Sequence, residues 1–143
     1  MTFDEWEAAA SAELKADRIW RMRTYRLACY VAEIGWSDVR TLASDPLTRG
    51  IAAQLLDALG SIRANLAEGY SRSAGRDRAR VFEYALGSAR ESREWYYHAS
   101  PILGPAVTRP RIAILDEIAR MLIAIIPRER PRRITPATPD PRP

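Results

Sequence analysis

The sequence predicts an all-α protein: an antiparallel, up-and-down four-helix bundle with a proline- and arginine-rich C-terminal tail. Apolar residues recur at helical spacing in several long segments, and prolines and glycines separate these segments by short connections. No alternating strand pattern and no Asn-Gly hairpin turn occurs in the sequence. Because short connections favour antiparallel neighbours, we expect one bundle domain over residues 1–127 and a disordered basic tail over residues 128–143.

The first helix is predicted to begin beside Thr2 and Glu5, which form a Thr-x-x-Glu capping box. Gly35 is predicted to end this helix. The segment that follows, GWSDVRTLAS, is interpreted as a linker with one or two helical turns. Apolar residues at roughly helical spacing support the first helix: Trp20, Leu27, Val31 and Ile34.

Prolines set the bounds of the other three helices. Asp45-Pro46 places an N-cap acid before a first-turn proline, so the second helix is predicted to start there and to run to about residue 72. The third is predicted over about residues 76–100 and the fourth over about residues 110–126, each closed by the proline that follows.

The composition restricts the classes of function. The single cysteine, Cys29, excludes an internal disulfide and a cysteine-rich zinc site, so we expect a reducing compartment, the cytoplasm. With one histidine, His98, most metal-site and acid–base designs are also excluded. The acidic N-terminus does not resemble a secretory signal. The longest apolar region, residues 112–126, is short and contains charged residues, so no membrane association is expected.

The charge is unevenly distributed along the chain. Residues 1–70 carry a net charge of −2 and residues 71–143 a net charge of +6, and every basic residue except Lys15 is arginine. This bias favours a polyanionic partner, but it also fits a GC-rich genome, which favours arginine codons without any binding role. Both interpretations stay open at this point.

The second helix has three predicted faces rather than two. Its apolar stripe consists of Leu55, Leu59, Ile62 and Leu66. A face of small residues consists of Ala53, Gly60, Ala64, Ala67 and Ser71. Because glycine costs about 1 kcal/mol in a helix interior, tight packing against another helix is expected at Gly60.

The third face of this helix is polar and continues onto the third helix. We predict a partly buried hydrogen-bond network between helices, made of Ser61, Asn65, Glu68, Ser88 and Glu91. Gly87, beside Ser88, is predicted to be a second site of close approach. Helices wrapped on so many sides need more neighbours than one small bundle offers, so a homo-oligomer is expected.

These residues resemble a known family, the bacterial four helix bundle proteins, also called the rRNA intervening-sequence protein family. Its hallmark reads approximately S-I-x-x-N-[IL]-A-E-G, then an arginine-containing turn and A-L-G-S-x-x-E. The chain matches it at residues 61–69, at Arg72 and at residues 85–91. The resemblance covers about residues 14–126 and implies a four-helix bundle that assembles as a ring-like homopentamer. The family has no established catalytic activity, so no enzyme activity is expected of this chain, and no cofactor is expected either.

A more distant relative of this family is the accessory protein of diversity-generating retroelements, which works with a reverse transcriptase and RNA. The family's genes were noticed within rRNA insertions. The resemblance therefore implies RNA or DNA, or a reverse transcriptase, as a partner.

Arginines form two clusters along the sequence. They are predicted to bind nucleic-acid phosphates, and a ring of subunits would repeat each cluster around its axis. The alternative is Arg–Glu pairing on an exposed helix face. The first cluster surrounds the turn between the second and third helices, and the second lies in the tail: Arg72, Arg76, Arg78 and Arg80, then Arg128, Arg130, Arg132 and Arg133.

Three sharper interpretations compete with plainer ones. Glu91, Glu94 and His98 share one side of the third helix, but no second histidine exists, so a solvated face is favoured over a metal site. Asn65 and Glu68 could form a catalytic pair, yet no nucleophile–base constellation accompanies them. The aromatic segment EWYYH could stack bases, but a role in the core or in a subunit interface is favoured.

Two functions follow as hypotheses. The first is a non-enzymatic, homo-oligomeric bundle, without metal or cofactor, that binds RNA or DNA through its arginine clusters. The second is a protein-interaction scaffold, such as an accessory subunit that binds a reverse transcriptase in a diversity-generating retroelement.

Overall fold

The protein is seen in a computed structural model that describes residues 1–131, and the fold is all-α as predicted. The four longest helices form the bundle: α4 packs between α3 and α5, α5 packs between α4 and α7, and α3 also contacts α7. The helices are α1 (Phe3–Ala9), α2 (Ala12–Ala16), α3 (Arg23–Ala43), α4 (Arg49–Tyr70), α5 (Gly75–His98), α6 (Ser100–Leu103) and α7 (Pro105–Glu129), with a 3₁₀ turn (Arg18–Arg21) before α3.

The predicted first helix is divided into short pieces before α3. The capping box at its start is confirmed, because the Glu5 amide donates to Thr2 Oγ1 and the Thr2 amide donates to Glu5 Oε2. Ser11 caps a separate helix, α2, so the chain turns instead of continuing straight. This allows α1 to fold back on α3, where Trp6 is buried and its Nε1 donates to Glu33 at 2.6 Å.

Gly35 does not end a helix, and the predicted linker after it is helical. Helix α3 continues to Ala43, and Leu42 within this continuation is fully buried. A Cβ on Gly35 would lie 2.6 Å from Leu59 Cδ1 and 3.2 Å from Tyr96 Oη. The glycine therefore permits α3 to pack closely on its neighbours, which is a different role from a C-terminal stop.

The predicted apolar stripe of α4 is confirmed, since Leu55, Leu59, Ile62 and Leu66 are at most 1% exposed. The site of close approach is Gly69, where a Cβ would lie 2.7 Å from the Phe82 ring on α5. At Gly60 and Gly87 an added Cβ meets nothing within 4 Å, so the close packing predicted there is not formed within one chain. The small-residue face of α4 is largely exposed at Ala53, Gly60 and Ala64.

Two prolines that were predicted to bound the fourth helix lie inside it. Helix α7 begins at Pro105, after Gly104 with φ of 81°, and contains both Pro110 and Pro127. Each proline removes one backbone hydrogen bond. The helix continues past Pro127 because Ile126 and Glu129, the last residue of α7, are buried against the bundle. The start of the predicted tail is therefore helical, and residues 132–143 lie outside the described part of the chain.

One buried polar cluster ties three helices together. Asp38 on α3 accepts a hydrogen bond at 2.7 Å from Tyr96 Oη of α5 and another at 2.8 Å from Arg111 Nε of α7. The Asp38 side chain is 5% exposed. Burial and the neighbouring Asp38 carboxylate raise the pKa of Tyr96 above its usual value, so its hydroxyl stays protonated and donates.

Candidate nucleic-acid interface

A charged cleft lies where α5 begins and α7 ends. Its volume is about 560 Å³, and we call it the arginine cleft. The arginine cleft is lined by Ala74, Arg76, Asp77, Arg80, Glu83 and Arg130. Three guanidinium groups thus face two carboxylates, which leaves this surface positively charged.

Members of both predicted arginine clusters meet in this cleft. Arg76 and Arg80 come from the α5 side of the turn, whereas Arg130 follows α7 and belongs to the predicted tail cluster. Their proximity depends on α7 extending through Pro127, since a helix closed at that proline would not carry Arg130 to α5. Arg130 pairs with Glu83 across the two helices, and the two side chains are 53% and 44% exposed.

Arg78 belongs to the same sequence cluster, but its side chain packs within the bundle instead of facing solvent. Its side chain is only 11% exposed, and Nη2 donates to the carbonyl oxygen of Tyr70 at the end of α4. The guanidinium lies 4.8 Å from the centroid of the Tyr70 ring, and Nη1 lies 3.9 Å from Glu129 Oε2. These contacts join α4, α5 and α7. Contrary to the prediction, Arg78 is therefore not positioned to bind an external phosphate.

The other predicted arginines differ in their surroundings. Arg72 is exposed, and its Nη2 lies 2.7 Å from Glu68 Oε1 one turn earlier in the chain. Arg128 is exposed near the end of α7. Arg132 and Arg133 lie outside the described residues.

The predicted polar network is not formed within one chain. Glu68 pairs with Arg72, and Glu91 accepts a hydrogen bond from Trp95 Nε1 at 3.4 Å. Each carboxylate therefore contacts a residue only four positions away in the sequence. The remaining members, Ser61, Asn65 and Ser88, are half-buried. In the described structure no hydrogen bond joins any two of the five side chains. The reason is geometric, because α4 and α5 meet through apolar side chains and Gly69 rather than through the polar stripe.

The residues considered for base stacking, metal binding or a core role lie in different surroundings. In EWYYH, Tyr96 is fully buried, which confirms a core role for it, whereas Tyr97 is 65% exposed. Glu91, Glu94 and His98 are exposed on α5, and the described residues contain no group of three or more His, Cys, Asp or Glu side chains suited to a metal ion. Cys29 is completely buried, as a small core residue should be.

Sequence reasoning missed one exposed aromatic residue beside the arginine cleft. Tyr84 is 54% exposed, and its hydroxyl lies 3.2 Å from Arg80 Nη1. The Arg80 guanidinium carbon is 5.9 Å from the centroid of the Tyr84 ring. The spacing of Arg76, Arg80 and Tyr84 at four-residue intervals could have indicated this shared face.

The bundle helices do not have the properties of membrane spans. Within residues 1–131, no helix combines the length and the apolar character that crossing a membrane requires.

Comparison with known proteins places the bundle in a family. Residues 23–124 match the family model described as 23S rRNA-intervening sequence protein. A solved structure of a protein with unknown function, from the S23 ribosomal protein family of Bacteroides thetaiotaomicron VPI-5482, has the same fold. The two share 21% sequence identity and a TM-score of 0.63, over 72% of this chain and 97% of that one. No curated protein gives a significant sequence match.

Proposed function

This chain belongs to the 23S rRNA-intervening sequence protein family, and we propose that it is a non-enzymatic, homo-oligomeric accessory protein that binds RNA or DNA. The observation that supports binding is the arginine cleft, where Arg76, Arg80 and Arg130 converge from two helices. The Cys29 thiol, which has no cysteine to pair with in the chain, fits a cytoplasmic location.

Phosphate groups suit the chemistry of this cleft. A guanidinium donates in a planar fork that matches phosphate oxygens, and it stays charged at every physiological pH. The Arg130–Glu83 pair is about half exposed, and exposed pairs contribute only about 0–1 kcal/mol, so a phosphate can replace the carboxylate at little cost. Contacts of this kind do not read base sequence, and they weaken as salt rises.

Charge reversal in the arginine cleft tests this proposal. We expect the triple variant Arg76→Glu, Arg80→Glu, Arg130→Glu to lose most of its affinity for a labelled RNA in fluorescence anisotropy. The matched control reverses three exposed arginines elsewhere: Arg18→Glu, Arg40→Glu, Arg109→Glu. Both variants change the net charge equally. Equal loss in both would indicate binding through overall charge, and no loss in either would overturn the proposal.

Self-association is the second part of the proposal, and the family resemblance suggests a pentamer. The exposed small-residue face of α4 supports it, because Gly60 and Ala64 would allow a helix of another copy to approach closely. We expect Ala64→Arg to shift the mass measured by light scattering to that of the monomer. The control, Ala12→Arg, changes an exposed residue of α2 and should leave the mass unchanged. A wild-type monomer would contradict this part.

A protein-interaction scaffold is the second candidate function. Large apolar side chains that are about half exposed, or more, could contact a protein partner such as a reverse transcriptase. They include Trp36, Tyr97 and Ile123. In that case a protein would co-purify with the chain after nuclease treatment, and the charge-reversed triple variant would still retain it.

A further inference from the structure

We propose that the arginine cleft selects single-stranded over double-stranded nucleic acid, because Tyr84 offers its ring as a stacking surface for an unpaired base. The inference rests on the proposed nucleic-acid binding and goes beyond it by naming the strand state. It concerns RNA and DNA alike, since both carry the phosphates and base faces that the site would contact.

The geometry places phosphate and base contacts in one line. Arg76, Arg80 and Tyr84 follow each other at four-residue intervals on α5, so they share one face of the helix over about 12 Å. Arg130 approaches the same face from α7 through its pair with Glu83. A strand lying along this face meets cations at one end and an aromatic ring at the other.

The Tyr84 ring is not part of the core. Neighbouring α5 residues that fill the core, Val81, Phe82 and Ala85, are at most 1% exposed, whereas Tyr84 is 54% exposed. Its hydroxyl is held beside Arg80 Nη1 at 3.2 Å, and the Arg80 guanidinium lies over the ring. The ring is thus positioned by a cation while much of its surface remains accessible.

An aromatic ring beside arginines discriminates between strand states. In a duplex the base faces are stacked on each other, so an exposed side chain on a convex helix cannot reach them. In a single strand the bases can splay apart and stack on tyrosine, and every base has a π-face. Phosphate contacts alone would not give this preference, because duplexes carry a denser row of charges.

The strand preference is measured by fluorescence anisotropy with the full chain. Labelled oligouridylate and oligothymidylate of equal length are compared with an RNA duplex that has the same number of phosphates. We expect both single strands to bind more tightly than the duplex. Tyr84→Leu should weaken single-strand binding by about 5- to 150-fold, the range for removing one stacked base, and should leave duplex binding unchanged. Tyr84→Phe should retain the single-strand affinity.

Tyr97 provides the matched control. It is an exposed tyrosine of the same helix, thirteen residues away and outside the arginine cleft, so Tyr97→Leu should leave both affinities unchanged. Equal affinity for duplex and single strands, or full single-strand affinity in Tyr84→Leu, would overturn this inference while the charge-reversal result stands. If no polynucleotide binds the wild-type chain, the proposed function fails as well.

Discussion

The Asp38–Tyr96–Arg111 cluster and the arginine cleft combine arginine, carboxylate and tyrosine side chains in opposite surroundings. In the first, the Asp38 side chain is 5% exposed, and it accepts from both Arg111 and Tyr96. In the second, the Arg130–Glu83 pair is about half exposed. The same side-chain types therefore hold helices together where water is excluded, and they remain available to a partner where water is present.

The largest effect is expected from removing the buried carboxylate. Asp38→Ala leaves the Arg111 guanidinium and the Tyr96 hydroxyl without their acceptor, so the free energy of unfolding should fall by about 3–5 kcal/mol. Glu83→Ala, which removes the exposed carboxylate of the cleft, should change it by at most about 1 kcal/mol. Urea denaturation measures both, and similar losses would remove the distinction between the two clusters.

Arg78 sharpens the comparison because it neighbours the cleft yet contacts the bundle. Arg78→Met removes the donor to the Tyr70 carbonyl and a cation that faces the buried Glu129, so we expect a loss of about 1–3 kcal/mol in unfolding free energy. Arg76→Met should cost at most about 0.5 kcal/mol, since Arg76 is an exposed residue. Thermal and urea unfolding of the two variants decide this, and equal stability would contradict the structural role.

Alkaline pH should weaken the Asp38–Tyr96–Arg111 cluster. Because the pKa of Tyr96 is raised in the folded protein, its contribution is fully present below about pH 10, the pKa of an unfolded tyrosine. Above that pH the unfolded chain loses a proton that the folded chain keeps, so stability should fall by about 1.4 kcal/mol per pH unit from this group.

Tyr96→Phe provides the control for the pH experiment. It removes the titrating hydroxyl, so unfolding free energy measured between about pH 10 and pH 11 should fall less steeply than in the wild type. Some slope remains, because burial also raises the pKa of Tyr25 and of the Cys29 thiol. An unchanged slope in Tyr96→Phe would show that Tyr96 does not carry this dependence.

Much of the fold could be predicted because helical periodicity depends on few contacts. The apolar stripe of α4 follows from spacing alone, and every member is buried. Helix ends were less predictable. Gly35 and Pro127 are strong local stop signals, but packing against Leu59 at one position and burial around Ile126 at the other keep the helices continuous.

The residue types of the site could be predicted from the sequence, but not which arginines are exposed and which are buried. Sequence indicated that arginines cluster around the turn, but it could not separate the exposed Arg76 from the largely buried Arg78, two positions away. That separation depends on which groups α4 and α7 bring to each side chain, namely the Tyr70 carbonyl and Glu129 for Arg78. The junction of Arg130 with α5 likewise depends on the unforeseen length of α7.

The most direct test of the account is the salt dependence of nucleic-acid binding. We measure the affinity for an oligouridylate over a range of salt concentrations, for the wild type and for variants with Arg76, Arg80 or Arg130 replaced by glutamine. If these arginines bind phosphates, each replacement should reduce the slope of log affinity against log salt by about 0.7 for every phosphate that the variant no longer neutralises. A slope that stays the same in all three variants would show that the arginine cleft does not bind the strand.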